Sequence, residues 1–206
     1  MRLGIYGGTF DPIHYGHLLL AERCREELQL DEVWFIPAGN PPHKLGRVTT
    51  PAKLRAEMVE FAVSGFPEFR VSRMEMERGG PSYTVQTLEL IRASDPSREI
   101  FLLMGADSIA ELVTWKDPGR ILELSQVVAV NRAGESPDLS SLGDLLKQTG
   151  RTVRTVEMPA MGISPHSHSL CANPLIPLDG NTRGSSARGT LNRASKVSSQ
   201  SPSCKL

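Results

Sequence analysis

Near the start of the chain, Gly4-Ile5-Tyr6-Gly7-Gly8-Thr9-Phe10-Asp11-Pro12-Ile13-His14-Tyr15-Gly16-His17 runs from an apolar strand end through a glycine turn to a helix entrance. A strand that passes at once into a helix is not half of a hairpin. The helix carries the chain back over the sheet, so the next strand lies parallel to the first. The following residues keep this rhythm. Residues 2–6 read as a strand and 18–28 as an amphipathic helix with Leu20, Cys24 and Leu28 on one stripe. Residues 32–36 are a second strand candidate, followed by a stiff loop over 37–43. Thr50 and Pro51 suit the N-cap and first position of a helix reaching about Val63, with Gly65 and Pro67 past its end.

Residues 69–74 predict another strand, and Ser82 is placed to cap a helix whose inward face carries Val85, Leu88 and Ile91. The run 99–104 is a compact apolar strand, after which Gly105-Ala106-Asp107-Ser108 turns into a short helix. Residues 121–124 continue helical structure, and 127–130 supply a further strand. Short buried strands separated by helices predict an α/β domain of three layers with a mostly parallel central sheet. Ligands of such a domain gather beyond the carboxyl ends of the strands. From about Ser164 the texture changes to Ser, Pro, Gly, Asn and Arg with no amphipathic repeat. The expected organisation is therefore a core over 1–163 and a weakly structured segment over 164–206.

Charge narrows the partners. Lys+Arg and Asp+Glu each number 23, giving a formal net charge of zero, so no broad field draws the chain to nucleic acid or to an anionic membrane. A local basic pocket for a small phosphorylated ligand is compatible with that balance. The N-terminus has no long hydrophobic run resembling a secretion signal or membrane span, which predicts a cytoplasmic location. Cys24, Cys171 and Cys204 have neither metal-ligand spacing nor a disulfide pattern, and Cys24, among Leu19, Leu20 and Leu28, reads as core.

Gly7 and Gly8 allow a tight turn with accessible backbone N–H groups, and the helix beginning near Gly16 points its positive end toward the same crevice. A nucleotide phosphate chain fits there. His14 and His17, three residues apart, bring their rings to one side of the helix entrance, where they can hold phosphate oxygens and stabilise charge moving toward a leaving pyrophosphate. The plainer reading is a glycine turn with two surface histidines; the agreement of turn, spacing and strand-to-helix setting favours the phosphate site. Zinc is disfavoured because no nearby Cys or third His completes a ligand set. Pro37-Ala38-Gly39-Asn40-Pro41-Pro42-His43-Lys44 ends in two side chains able to carry positive charge. Lys44 suits neutralising a triphosphate or an acceptor phosphate, against the alternative of a solvated loop lysine.

His14-Tyr15-Gly16-His17 resembles the T/H-x-G-H signature of the nucleotidyltransferase superfamily. With Pro41-Pro42-His43-Lys44, Ser82-Tyr83-Thr84-Val85-Gln86-Thr87-Leu88, Gly105-Ala106-Asp107-Ser108 and Trp115-Lys116-Asp117, the chain resembles the bacterial nicotinate mononucleotide adenylyltransferase family from Met1 to about Ser164. The resemblance implies a Rossmann-like, three-layer nucleotidyltransferase fold. It also implies transfer of AMP from ATP to nicotinate mononucleotide, forming nicotinate adenine dinucleotide and pyrophosphate in NAD biosynthesis, without a protein-bound intermediate and with Mg2+ bridging phosphate oxygens. It assigns His14, His17 and Lys44 to catalysis. ATP then falls to Gly7, Gly8, Thr9, Phe10, His14, His17, Gly105, Asp107 and Ser164. Nicotinate mononucleotide falls to His43, Lys44, Tyr83, Thr84 and Trp115, with backbone donors at Tyr83 and Thr84 on the carboxylate and the indole stacked on the pyridine ring. Asp107 would accept from ribose hydroxyls, or simply cap the next helix. Partners are thus ATP and nicotinate mononucleotide, with no nucleic acid and no membrane, and a homo-oligomer is left open. Pantetheine-phosphate adenylyltransferases share the first histidine motif but account less well for His43, Lys44, Tyr83, Thr84 and Trp115.

The resemblance stops after Ser164. The family supplies Ile-Ser-Ser, two variable residues, Ile and Arg at a helix start that clamps ATP phosphates; here Ile163 and Ser164 are followed by Pro165-His166-Ser167-His168-Ser169, without the Arg. One choice of codons for 164–169, read one base later, gives Pro-His-Ile-Arg-Ile-Arg, so a shifted reading frame would explain the departure. A catalytically impaired nucleotide-binding protein is the alternative. Lost cationic clamping predicts weaker ATP binding by this chain than by a version with the restored frame, measured by direct titration with ATP. Equal affinities would refute it.

Overall fold

Apolar runs too short for helices, with no polar alternation, form strands buried on both faces. The computed structural model of the chain describes residues 1–41, 49–131 and 137–158, all within one compact unit, Met1–Gly162. Its strands are β1 (Arg2–Gly8), β2 (Glu32–Pro37), β3 (Phe69–Val71), β4 (Glu99–Gly105), β5 (Gln126–Asn131) and β6 (Arg154–Glu157). They form one sheet in the order β3-β2-β1-β4-β5-β6, and every pairing is parallel. The helices are α1 (Tyr15–Glu27), α2 (Ala52–Val63), α3 (Met74–Arg78), α4 (Thr84–Ser94), α5 (Ala106–Ile109), α6 (Pro118–Leu124) and α7 (Gly143–Thr149).

Successive side chains of a strand point to opposite faces, and the core divides accordingly. Leu3, Ile5, Ile100, Leu102, Met104, Val127 and Ala129 meet Val85, Leu88 and Ile91 of α4 and Ile121 and Leu122 of α6. Tyr6, Phe35, Phe101, Leu103, Val128 and Val130 meet Leu20, Ala21 and Cys24 of α1 and Val59 and Val63 of α2 on the other side. Three layers result. Cys24 is fully buried, and burial pushes its thiol up to about 12, as expected of an inert packing residue. Among the described residues no helix is long and apolar enough to cross a membrane.

The strand order reverses direction at β1 and β4: from β1 the chain steps outward to β2 and β3, then returns to β4 on β1's other side. Such a switch point opens a crevice beyond the carboxyl ends of its two strands. β1 ends in Gly7-Gly8 and β4 in Gly105, so the glycines singled out in the sequence stand at that crevice.

Local boundaries differ from the sequence expectation where side chains have other uses. α1 begins at Tyr15, so His17 lies in its first turn. β3 stops at Val71, and Met74 already starts α3. Pro51, not Thr50, sits at the cap of α2, and the Thr50 N–H donates to the Asp11 carboxylate (2.9 Å). Ser82 does not cap α4: Tyr83 holds that position without a side-chain cap, and Ser82 Oγ instead accepts from the N–H groups of Gly39 (3.0 Å) and Asn40 (3.2 Å).

This last pair sets a packing limit. A Cβ built on Gly39 would lie 2.9 Å from the Glu75 carbonyl oxygen and 3.1 Å from the Met76 Cα, backbone atoms that cannot swing aside. Gly39→Ala is expected to cost about 1–3 kcal/mol of stability, measured as a lowered urea midpoint at unchanged slope; an unchanged midpoint would show that the loop gives way freely.

Candidate active site

The crevice is a cavity of about 500 Å3, within the usual range for small-molecule sites. Its floor is the turn that follows β1. A Cβ on Gly8 would meet the Phe10 ring at 3.0 Å, so the missing side chain lets that ring fold back over the turn. Phe10 itself has φ 48, in the left-handed region, where a bulky residue costs roughly 1–3 kcal/mol. An aromatic cluster holds it there: its ring lies 5.4 Å from Tyr6, 5.8 Å from Phe35 and 5.2 Å from His17.

His14 and His17 do come together, with rings stacked at 3.7 Å. The N–H of His14 donates to His17 Nδ1 (3.1 Å). That bond fixes His17 as the neutral tautomer carrying its proton on Nε2. Burial, with a smaller contribution from His14, pulls its pKa down to about 4. His17 therefore meets a ligand in the cavity as a neutral N–H donor.

Arg55 braces this floor from below. It is 1% exposed. Its guanidinium donates to the carbonyls of Thr9, Ala38 (2.7 Å) and Thr50 (2.9 Å), joining the loops after β1 and β2 to the approach to α2. Burial lowers its pKa and the nearby Asp11 carboxylate opposes the shift.

The far wall is the start of α4. Gln86 and Thr87 return their N–H groups to the Tyr83 carbonyl, at 3.1 and 3.3 Å; the first helical N–H groups, at Thr84 and Val85, have no intrahelical acceptor. Behind them Thr87 Oγ1 donates to buried Glu75 (2.7 Å), tying α4 to α3. Trp115 and Lys116 follow the 3-10 turn Leu112–Thr114, and the Lys116 ammonium stands 4.5 Å over the Tyr83 ring.

Of the residues named from the sequence, Gly7, Gly8, Thr9, Phe10, His17, Tyr83, Thr84, Gly105 and Trp115 line this one cavity. His14 is exposed beside it, joined to the wall through His17. Asp107 is exposed in the first turn of α5 and is not part of the lining. His43, Lys44 and Ser164 lie outside the described residues. Sequence reasoning missed Arg55 and Glu75, and quoted Thr87 and Lys116 within motifs without giving either a role. Arg55 had a signal: it stands in phase with Val59 and Val63, on the face of α2 that must be buried. Among the described residues no group of three His, Cys, Asp or Glu side chains is placed to hold a metal ion.

Residues 5–177 match the cytidylyltransferase-like family. A probable nicotinate-nucleotide adenylyltransferase of Thermomicrobium roseum is 45% identical over 163 residues, spanning 79% of this chain and 76% of the relative. Its counterpart in Corynebacterium kroppenstedtii is also 45% identical over 163 residues, spanning 79% and 75%. The solved structure of Plasmodium falciparum nicotinic acid mononucleotide adenylyltransferase complexed with NaAD superposes with a TM-score of 0.63 at 17% identity, over 78% of this chain and 76% of that one. At such identity the likeness is one of fold.

The buried His17 has a measurable consequence. Its imidazole titrates at 6.5 when unfolded and about 4 when folded, so between those values the unfolded chain binds more protons. Stability then falls as pH drops from 6.5 toward 4, and this contribution is fully present above 6.5. Urea unfolding across that window is expected to show the slope, reduced in His17→Gln; equal slopes in the two proteins would contradict it.

Proposed function

Because the chain belongs to the nicotinate-nucleotide adenylyltransferase family within the cytidylyltransferase-like superfamily, we propose that it transfers AMP from ATP to nicotinate mononucleotide, releasing pyrophosphate and nicotinate adenine dinucleotide for NAD biosynthesis. One observation carries this reading. The glycine turn with its neutral histidine donor and the uncapped start of α4 beside Trp115 face a single cavity, so one ligand's phosphates and another's carboxylate have donors within one space.

The acceptor phosphate is anionic at neutral pH and attacks the α-phosphorus; a P–O bond forms to it as the bond to pyrophosphate breaks. No protein base is required. The turn N–H groups and the positive end of α1 suit the phosphate chain, and the Nε2–H of His17 suits an oxygen gaining charge as pyrophosphate leaves. Such neutral donors, aligned beforehand, act through position more than through net charge. His43, Lys44 and Ser164 keep their assigned roles on sequence grounds. The family resemblance implies Mg2+, which would enter with ATP and supply charge neutralisation on its phosphates. The indole of Trp115 offers a face for the pyridine ring, and the first N–H groups of α4 offer donors for its carboxylate.

The departure after Ser164 favours a second reading, a nucleotide-binding protein with impaired turnover. The full chain, given ATP, Mg2+ and nicotinate mononucleotide, is expected to release pyrophosphate and form a dinucleotide identified by mass. Binding of ATP without turnover would replace the first reading by the second. Pyrophosphate release with another acceptor, and none with this one, would overturn both.

A further inference from the structure

Two carboxylates, Glu75 and Glu111, line the cavity, while its substrates are polyanions. Glu75 is 6% exposed and belongs to the wall behind the start of α4. A pyridine carboxylate approaching α4 enters a field that these two acids oppose, and the partial charge of one helix end, about half an elementary charge, has to work against it. Lys116 is the cation among the described lining residues.

Its placement is specific. The backbone on either side is pinned: Trp115 N–H donates to the Leu112 carbonyl (3.1 Å), and Asp117, at φ 52, caps α6 by accepting from the Arg120 N–H (3.2 Å). Lys116 thus leaves a fixed base on a flexible stem, between the residue proposed to stack on the ring and the cap of α6. Its ammonium rests on the face of Tyr83, the residue immediately before the first helical N–H groups of α4. No carboxylate among the described residues forms an ion pair with it. Lys116 is exposed, and a solvated ammonium over a half-buried ring is held by only about 0.5–1 kcal/mol, so it is free to move to an arriving anion.

We infer that the Lys116 side chain selects for the charged carboxylate of the pyridine ring, and so sets the preference for the acid over the amide form of the acceptor nucleotide. This rests on the proposed acceptor. The first N–H groups of α4 can donate to either a carboxylate or an amide oxygen, and a full positive charge adds an attraction that the neutral amide lacks, while the phosphate common to both acceptors cancels from the comparison. Arginine at this position keeps the selection, because charge rather than shape carries it.

The test compares the full chain with Lys116→Met and Lys116→Arg, using nicotinate and nicotinamide mononucleotides. In Lys116→Met the ratio of kcat/KM for the acid to that for the amide is expected to fall about tenfold, while Lys116→Arg retains most of the wild-type ratio. Added salt should shrink the ratio in the wild type and leave it level in Lys116→Met. A ratio within twofold of wild type in Lys116→Met overturns the inference, even if both rates drop together, as a purely structural role would make them. Binding of each nucleotide by calorimetry gives the same ratio without turnover. If the wild type binds the acid in a Lys116-dependent way but releases no pyrophosphate, the inference stands and the proposed activity falls. Turnover of the acid with an unmoved ratio does the reverse, and binding of neither nucleotide defeats both.

Discussion

The guanidinium of Arg55 is the joint on which the cavity depends. Three backbone carbonyls, from Thr9, Ala38 and Thr50, converge on it from three different connections. None of those carbonyls sits in the sheet ladder, so without a buried donor each would need water inside the fold. Arginine suits the place because its planar fork presents up to five N–H donors in fixed directions, and a lysine would reach fewer acceptors. Burying the charge is costly, and the Asp11 carboxylate offsets part of that cost from nearby while accepting from the Thr50 N–H. Asp11, Thr50 and Arg55 are thereby linked by a chain of polar contacts at the entrance of α2.

From that joint the rest of the site follows outward. Holding the Thr9 carbonyl fixes the turn whose next residue, Phe10, takes a backbone conformation it would otherwise avoid. The Phe10 ring then covers His17, and burial keeps that histidine neutral. Holding the Ala38 carbonyl fixes the loop whose next two residues donate to Ser82, and Ser82 adjoins the start of α4. The glycine-turn side and the α4 side of the cavity are therefore set at one spacing by a side chain that is not itself part of the lining.

Much of the frame was legible in the sequence because burial on both faces leaves an unmistakable trace. β1, β2, β4 and β5 are nearly unbroken apolar runs, and their order of appearance with helices between them implied parallel pairing. The glycine turn and the histidine spacing were legible for a similar reason: each is local, so its geometry can be read from adjacent residues. Ser82, Arg55 and Glu75 were not, since what they do is decided by partners 42, 46 and 12 residues away. A serine two residues before a helix looks like a cap until the loop it holds is seen beside it. α3, with five residues, carries too short a period to register as a helix.

For a cavity proposed to bind anions, its described wall carries little formal positive charge: Lys116 stands against Glu75 and Glu111. Oriented dipoles make up the difference. Two helix starts, those of α1 and α4, face the space with N–H groups that no intrahelical carbonyl occupies, and His17 adds a ring N–H held in one tautomer. Dipoles of this kind are set before a ligand arrives and lose nothing to reorientation, but each falls off quickly with distance. A triphosphate extends beyond the reach of one such cluster. On the proposed reading, the far end of the phosphate chain therefore needs a second cationic group, and the arginine that the family pattern places after Ser164 would bear on ATP more than on the acceptor's ring, for which Tyr83, Thr84 and Trp115 line the cavity.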